Sequence, residues 1–338
     1  MITSRNPGKP VDPIDPIEPD PGDQTDPADI VDAVVRRVHA AQPYLSPTPA
    51  ERTDAGTGLG RLILGDTAGA TEMLAPLDLS VTEATDPATG RPYALAVSGA
   101  TERAWGLYLV DRSAPLRLCI AVPHPKSDRD CEQLALRLWR SRPGSILALA
   151  TVHRDAVDAG RDADQARNPD SVFHHLWTAV VGPRGVPQVQ LHGFADDSAP
   201  EQIVVSTGAG PVSPVAERIA TQIAATGLCV TRSWDGTADP GLRAVTNLQG
   251  IAAAREGWVW VHVEHNRTVR ADPALWQPAV DAIAAADPAG ETDDPACDPA
   301  DPTSNPTDPA GNPADPAEGP TDPANPRDWP RSPSGRCD

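Results

Sequence analysis

The stretch from Leu116 to Val152, LRLCIAVPHPKSDRDCEQLALRLWRSRPGSILALATV, places a segment with helical spacing between two short apolar runs. The runs LRLCIAV and SILALATV have the length and residue types of buried strands. Between them, CEQLALRLWR puts Leu134, Leu138 and Trp139 on one face of a helix. Strand, helix and strand in this order are typical of α/β proteins.

The same alternation continues on both sides of this stretch. Further strand-like runs are YALAVSG, WGLYLVD, PQVQLHG, QIVVSTG, LCVTRS and WVWVHVE. Helical spacing recurs in DIVDAVVRRVHAAQPYL, with Asp29 as a candidate cap, and in SVFHHLWTAVV, PVAERIATQIAAT and DPALWQPAVDAIAAA. We therefore predict one hydrolase-like α/β domain over residues 30–286. Its architecture would be three-layer αβα, with a mixed, largely parallel sheet as the central layer. The Gly- and Thr-rich region that follows the first helix is left unassigned.

The two ends of the chain differ in composition from the middle. Residues 1–29 and 287–338 hold 20 of the 39 prolines, mostly in Asp-Pro and Asn-Pro pairs, and most of the net charge of −19. Such segments have few apolar groups to bury and favour extended or turn conformations. We predict a disordered acidic head and a disordered acidic tail.

Charge and hydropathy argue against two classes of partner. The chain is acidic throughout, whereas a nucleic-acid surface needs clustered Lys and Arg. No run approaches the roughly 20 apolar residues that span a bilayer, and the first thirty residues lack the apolar segment of a signal peptide. We therefore expect no nucleic-acid partner, no membrane insertion and, by default, a cytoplasmic protein.

Four of the eight histidines fall at or just after the end of a predicted strand: His124, His153, His192 and His262. In open α/β sheets, ligands bind beyond the carboxyl ends of the strands. One shared edge of the sheet is the simplest explanation for this distribution.

Two of these histidines and a carboxylate can form a catalytic zinc site. We predict that His124, Glu132 and His192 bind one zinc ion and leave a position open for water. Asp128 lies between His124 and Glu132 and is an alternative second ligand. The competing interpretations are a capping acid for Glu132 and a buried, hydrogen-bonded histidine for His192. Gly193 leaves room near His192.

The last strand supplies a candidate general base. Side chains alternate in a strand, so Trp258, Trp260, His262 and Glu264 share one face. Glu264 would take a proton from a water molecule activated by zinc. A structural ion pair of Glu264 with Arg267 or Arg270 is the alternative.

The blocks HPKSDRDCE, VQLHGF and VHVEHNRTVR resemble those of the zinc-dependent exopeptidase and amidohydrolase superfamily. That superfamily includes zinc carboxypeptidases, poly-γ-glutamate hydrolases, N-formylglutamate amidohydrolases and N-acetylmuramoyl-alanine amidases. The resemblance covers residues 93–270. It implies a mixed eight-stranded sheet and hydrolysis of an amide bond, with His124, Glu132 and His192 at the metal positions and Glu264 as the base. Carboxypeptidases space their first two ligands H-x-x-E, and this chain does not.

The substrate would be a small molecule or peptide with an amide bond. Arg154 or Arg270 can bind a substrate carboxylate, although a pair of Arg154 with Asp155, Asp162 or Asp164 is at least as plausible an interpretation. Asn247 can line the cleft, but a turn is the simpler explanation for it. Two alternatives stay open: a non-catalytic binding module on the same fold, and a thiol hydrolase in which Cys131 is the nucleophile.

Overall fold

The computed structural model describes residues 26–158 and 161–288, so most of the predicted acidic head and tail lies outside the described residues. The first helix begins at Pro27, three residues before the predicted domain start. Its cap is Asp26 instead of Asp29, because the Asp26 carboxylate accepts a hydrogen bond from Ala28 N at 2.8 Å. This helix ends at Arg37, well before Leu45, where the predicted segment ended.

Three α-helices of the described residues precede the first strand, four lie between strands and two follow the last strand. They are α1 (Pro27–Arg37), α2 (Pro49–Leu64), α3 (Thr67–Leu74), α4 (Cys131–Ser141), α5 (Val172–His175), α6 (Pro214–Ala224), α7 (Leu248–Glu256), α8 (Arg267–Ala271) and α9 (Pro273–Ala285). α4, α6 and α9 were predicted from helical spacing and are confirmed. The predicted helix SVFHHLWTAVV is only one turn of α-helix, followed by a π-helix over Leu176–Val181.

The strands include each of the eight predicted runs. They are β1 (Leu79–Thr85), β2 (Pro92–Ser98), β3 (Leu107–Asp111), β4 (Leu118–Val122), β5 (Ser145–Leu149), β6 (Val157–Asp158), β7 (Arg161–Asp162), β8 (Gln188–Phe194), β9 (Ile203–Ser206), β10 (Val230–Arg232) and β11 (Trp260–Asn266). β6 and β7 form a separate small hairpin.

The main sheet of the described residues has nine strands in the order β1-β2-β3-β5-β4-β8-β11-β9-β10. The resemblance implied eight strands, and the additional one relative to the predicted runs is β1. β4, β5, β8 and β11 pair in parallel, whereas β1, β2 and β3 join them through antiparallel pairings. The predicted α/β class with a mixed sheet is confirmed.

Helices cover both faces of this sheet, which gives the three predicted layers. On one face, Val189 and Val261 belong to a core that includes residues of α1, α4, α6 and α9. On the other face, Ala121 and Trp260 belong to a core built with α2, α3 and the segment around Trp177. The central parallel strands β4, β5, β8 and β11 are buried on both sides, as expected for a covered parallel sheet.

The register of the three central strands positions the site. In the parallel pair β8 and β11, Gln190 lies opposite His262 and His192 lies opposite Glu264. β4 is the other neighbour of β8 and pairs Ala121 with Gln190. The carboxyl ends of β4, β8 and β11 therefore meet at one edge of the sheet. No helix within the described residues is long and apolar enough to cross a membrane.

Candidate metal centre

Three buried side chains converge at the carboxyl ends of β4 and β8. His124 and Asp128 lie in the loop after β4, and His192 lies near the end of β8. Each offers one ligand atom, and these atoms all lie within 4.8 Å of one another. The loop is compact because Asp128 N donates to the carbonyl of His124 at 2.8 Å, which folds Asp128 back beside the histidine.

The His124 ring is held by carboxylates on both sides. Its Nε2 lies 2.6 Å from Oδ1 of Asp164, and its Nδ1 lies 3.5 Å from Oδ2 of Asp128. Burial lowers the pKa of His124, but the neighbouring carboxylates of Asp128 and Asp164 outweigh burial and raise it to about 9. A carboxylate that accepts from one ring nitrogen fixes the orientation of the ring and leaves the other nitrogen for a metal.

The His192 ring has the same arrangement with a different partner. Its Nε2 lies 2.9 Å from Oε1 of Gln190, and its Nδ1 lies 3.2 Å from Oδ2 of Asp128. Burial lowers the pKa of His192, and the nearby Asp128 carboxylate opposes this shift without reversing it. Both histidines thus turn Nδ1 toward one oxygen of Asp128.

These residues fit a divalent metal ion such as zinc. Nδ1 of His124 and Oδ2 of Asp128 are buried and make no hydrogen bond. Burial raises the pKa of the Asp128 carboxyl, yet the neighbouring imidazoles outweigh burial and hold it below its usual range. Two imidazole nitrogens and a carboxylate oxygen are a donor set that zinc takes in catalytic sites.

Glu132 does not join this cluster. Neither candidate metal group among the described residues includes it, although its side chain is buried. Asp130 has a left-handed backbone with a φ of 71°, and Glu132 follows in the first turn of α4. Burial raises the pKa of Glu132 to about 7, and Asp130 and Asp32 add to the rise. Asp128, the alternative carboxylate, is therefore the one that lies beside both histidines.

Glu264 lies beside the cluster on β11. Its Oε2 is buried without a hydrogen bond, and its Oε1 lies 3.6 Å from Nε2 of His262. Burial raises the pKa of Glu264 to about 8, and the charge of Asp128 contributes to the rise. A nearby cation would favour the ionised form. His192, His262 and Glu264 also form a second, overlapping group of possible ligands.

The two arginines proposed as ion-pair partners of Glu264 have other contacts. Arg267 pairs with Asp130 at 2.5 Å. Arg270 is buried, and its guanidinium donates to the backbone carbonyls of His265, Phe194 and Arg129. This guanidinium therefore joins the loop after β4 to the ends of β8 and β11.

The other two predicted substrate-binding residues also have internal contacts. Arg154 donates to Oδ2 of Asp164 at 3.1 Å, so it touches the carboxylate that orients His124, and its side chain is partly exposed. Asn247 is buried; it caps α7 and donates to Gln190 at 2.5 Å. Asn247 therefore contacts the histidine cluster indirectly, through Gln190.

Cys131 lacks the features of a nucleophile. Its thiol is fully buried at the start of α4. Burial raises its pKa well above the usual value, and the charge of Asp128 adds to the rise. Because the thiolate is the reactive form, this environment suppresses the thiol chemistry considered from the sequence.

The sequence did not predict the contacts that Asp164 and Gln190 make with the two histidines. Asp164 lies in a loop whose sequence, DADQAR, has no distinctive pattern. Gln190 could have been found from the sequence, because it lies two positions before His192 and must share its face of β8, opposite the apolar Val189 and Leu191.

Together, the fold and this cluster define a three-layer α/β protein with a buried site of two histidines and a carboxylate at the edge of its sheet. No protein-family model matches the sequence, and no curated protein matches it. Solved structures do match, among them three that are 9–13% identical to this chain.

A gene product of Agrobacterium tumefaciens is 13% identical with a TM-score of 0.40, over 52% of this chain and 90% of that one. A metallo-carboxypeptidase from Pseudomonas aeruginosa, in complex with (2-guanidinoethylmercapto)succinic acid, is 13% identical to this chain and has a TM-score of 0.32. The match covers 64% of this chain and 67% of the carboxypeptidase. An aspartoacylase family protein from Mesorhizobium loti is 9% identical to this chain and has a TM-score of 0.34. The match covers 60% of this chain and 67% of that protein. The function proposed below rests on this chain's own residues.

Proposed function

We propose that this protein is a zinc-dependent hydrolase of an amide or peptide bond, with one zinc ion per chain. The observation that supports this most directly is the convergence of His124, Asp128 and His192, with the buried carboxylate of Glu264 beside them. Two histidines and one carboxylate leave a coordination position for water or substrate, which distinguishes catalytic from structural zinc sites.

The chain's own groups have distinct roles in the proposed reaction. His124, Asp128 and His192 hold the zinc, which when bound supplies Lewis acidity that polarises a carbonyl and lowers the pKa of water. Oε2 of Glu264 accepts a proton from the attacking water, whose oxygen bonds to the carbonyl carbon. Glu264 then gives the proton to the leaving nitrogen as the C–N bond breaks, which yields a carboxylic acid and an amine.

The contacts around the ligands favour this chemistry. Asp164 and Gln190 each contact Nε2 of one histidine and so keep both Nδ1 atoms turned toward Asp128. Burial keeps the cluster in a low-dielectric environment, where charge interactions are stronger than in water. The substrate class is a peptide or a small molecule with an amide bond.

The metal content of purified full-length protein tests the ligand set. We expect about one zinc per chain in the wild type, loss of zinc in His192→Ala and Asp128→Ala, and retention in Glu132→Ala. Elemental analysis after zinc is added back measures this. A wild type that binds no zinc would overturn the proposed function, and loss in Glu132→Ala alone would restore Glu132 as the ligand.

The role of Glu264 is tested by a conservative substitution. Glu264→Gln keeps the shape of the side chain but cannot accept the proton, so we expect zinc to be retained and hydrolysis to fall by at least about 100-fold. The assay uses γ-glutamyl peptides, N-acylated amino acids and cell-wall peptides. A zinc-loaded wild type that cleaves none of these amides would support a non-catalytic binding module instead.

A further inference from the structure

A chain of amide side chains runs from α7 to the metal cluster. Asn247, Gln249, Gln190 and His192 are all buried and joined by hydrogen bonds. Each amide has one end that only donates and one that only accepts, so the direction of one bond sets the direction of the next. The backbone of α7 therefore sets, through this series of hydrogen bonds, the orientation of the His192 ring.

The first link is fixed by the start of α7. Oδ1 of Asn247 accepts from the backbone N–H groups of Gln249 at 3.0 Å and Gly250 at 3.2 Å. Backbone N–H groups can only donate, so the other end of the Asn247 amide, Nδ2, must face Gln190. It donates to Oε1 of Gln190 at 2.5 Å.

A second link fixes Gln190 independently. Nε2 of Gln249 donates to the backbone carbonyl of Gln165 at 3.1 Å, which turns its Oε1 toward Gln190. Nε2 of Gln190 donates to that oxygen at 3.4 Å. Both neighbours thus require Oε1 of Gln190 to face Asn247 and His192.

We propose that Gln190 and Asn247 are positioning residues that hold the proton of His192 on Nε2 and leave the lone pair of Nδ1 for the metal. Oε1 of Gln190 lies 2.9 Å from Nε2 of His192 and can only accept, so Nε2 must carry a proton. Nδ1 then faces Oδ2 of Asp128 at 3.2 Å. The proposal rests on the proposed function for its metal, but the position of the proton can be observed without one.

Asn247→Asp is the most informative variant. The carboxylate caps α7 as well as the amide does, but it presents an acceptor to Oε1 of Gln190. Repulsion at this 2.5 Å contact outweighs the longer 3.4 Å hydrogen bond to Gln249, so Gln190 gives up that bond and turns its NH₂ toward the new carboxylate and His192. The proton then leaves Nε2 of His192, and Nδ1 carries one. A simple charge effect predicts the opposite result, since an added negative charge attracts a cation.

Gln190→Glu is the matched control. It also adds one buried carboxylate, but its oxygens can accept from both Asn247 and His192. We expect it to keep the proton of His192 on Nε2, at the cost of the hydrogen bond to Oε1 of Gln249, and to bind zinc more tightly than Asn247→Asp does. Asn247→Asp should bind zinc about 10- to 100-fold more weakly than the wild type, the usual effect of losing a partner of a metal ligand.

The experiment combines zinc titration of the full-length variants with long-range ¹H–¹⁵N NMR of the metal-free proteins. The expected result is a protonated Nε2 of His192 in the wild type and in Gln190→Glu, and a bare Nε2 in Asn247→Asp. A bare Nε2 in the wild type would overturn the proposal without any variant, as would equal or tighter zinc binding by Asn247→Asp. A wild type with protonated Nε2 that binds no zinc would refute the proposed function alone.

Discussion

At the scale of single residues, Gly193 shows how closely the site is packed. A Cβ at this position would lie 2.7 Å from Cδ of Arg270 and closer still to its Nε and Cζ. The space beside His192 is therefore filled by the guanidinium that binds the carbonyls of Phe194, His265 and Arg129. The sequence indicated that Gly193 leaves room, and the structure identifies Arg270 as the group that uses it.

Gly193→Ala should destabilise the protein and weaken metal binding. Displacing Arg270 from its carbonyls is an overpacking change, which costs about 1–3 kcal/mol in the free energy of unfolding. Chemical denaturation of the metal-free protein measures the loss. Gly60→Ala is the control, because Gly60 lies within α2 and the nearest atom beyond the helix would be 3.7 Å from the new Cβ. We expect the free energy of unfolding to rise there by about 0.5–1 kcal/mol, since alanine favours a helix more than glycine does. Equal effects at both positions would contradict this account.

At the scale of elements, α2 shows how packing and capping overcome weak helix propensity. It contains Gly56, Gly58 and Gly60, each of which disfavours a helix. A Cβ at Gly58 would lie 2.7 Å from the side chain of Leu74, so the missing side chain lets α3 approach. The helix begins with a capping box, in which Thr48 Oγ1 accepts from Glu51 N at 3.3 Å and Glu51 Oε2 accepts from Thr48 N at 2.9 Å.

Thr48→Ala should therefore lower the free energy of unfolding by about 1 kcal/mol, because it removes an N-cap. Thr57→Ala in the same helix is the matched control. The Thr57 hydroxyl is exposed and donates only to the carbonyl of Thr53 in its own helix, so its loss should be neutral or slightly stabilising. Thermal unfolding of the two variants compares them, and an equal loss of stability would argue against the capping box.

At the scale of the whole molecule, Arg140 joins three separate elements. From α4 it donates to both carboxylate oxygens of Asp86, at 2.8 and 3.2 Å, and to Asp26, the cap of α1, at 2.5 Å. Burial raises the pKa of Asp86, but the hydrogen bonds from Arg140 and Thr89 outweigh burial and lower it below 3.8. Asp86 lies just after β1, so this contact fixes one edge of the sheet to two helices.

Arg140→Met should cost about 3 kcal/mol at neutral pH, because it leaves the buried Asp86 carboxylate without its cation. A group whose folded-state pKa is lowered stabilises the fold above its unfolded pKa, and that contribution is lost as pH falls through the folded value. The difference between wild type and variant should therefore shrink below about pH 3.8. Denaturation at several pH values measures it.

Arg137→Met is the control for that experiment, because Arg137 lies on the same helix and pairs with Asp281 at the surface, 2.7 Å away. An exposed pair contributes at most about 1 kcal/mol, and its removal should have little effect. A pH-independent loss in Arg140→Met would show that packing of the arginine, and not its charge, stabilises the fold.

The amino-acid sequence by itself determined the class of the fold, because apolar runs and helical spacing are local properties. The strands that it predicted lie in the sheet, and the alternation along β11 correctly put Trp260 and Glu264 on one face. It did not place α2, whose glycines need a neighbour to make a helix favourable, or β1, an edge strand with many polar and half-exposed residues.

Tertiary structure alone decided which groups surround the candidate site. The sequence indicated that His124, His192 and Glu264 share one edge, but it could not choose between Asp128 and Glu132, because the path of the loop before α4 sets which carboxylate turns inward. Nor could it reveal that Asp164, Gln190 and Arg270 hold that edge in place. Their contacts join residues far apart in the chain, and only the packing of the sheet brings such residues together.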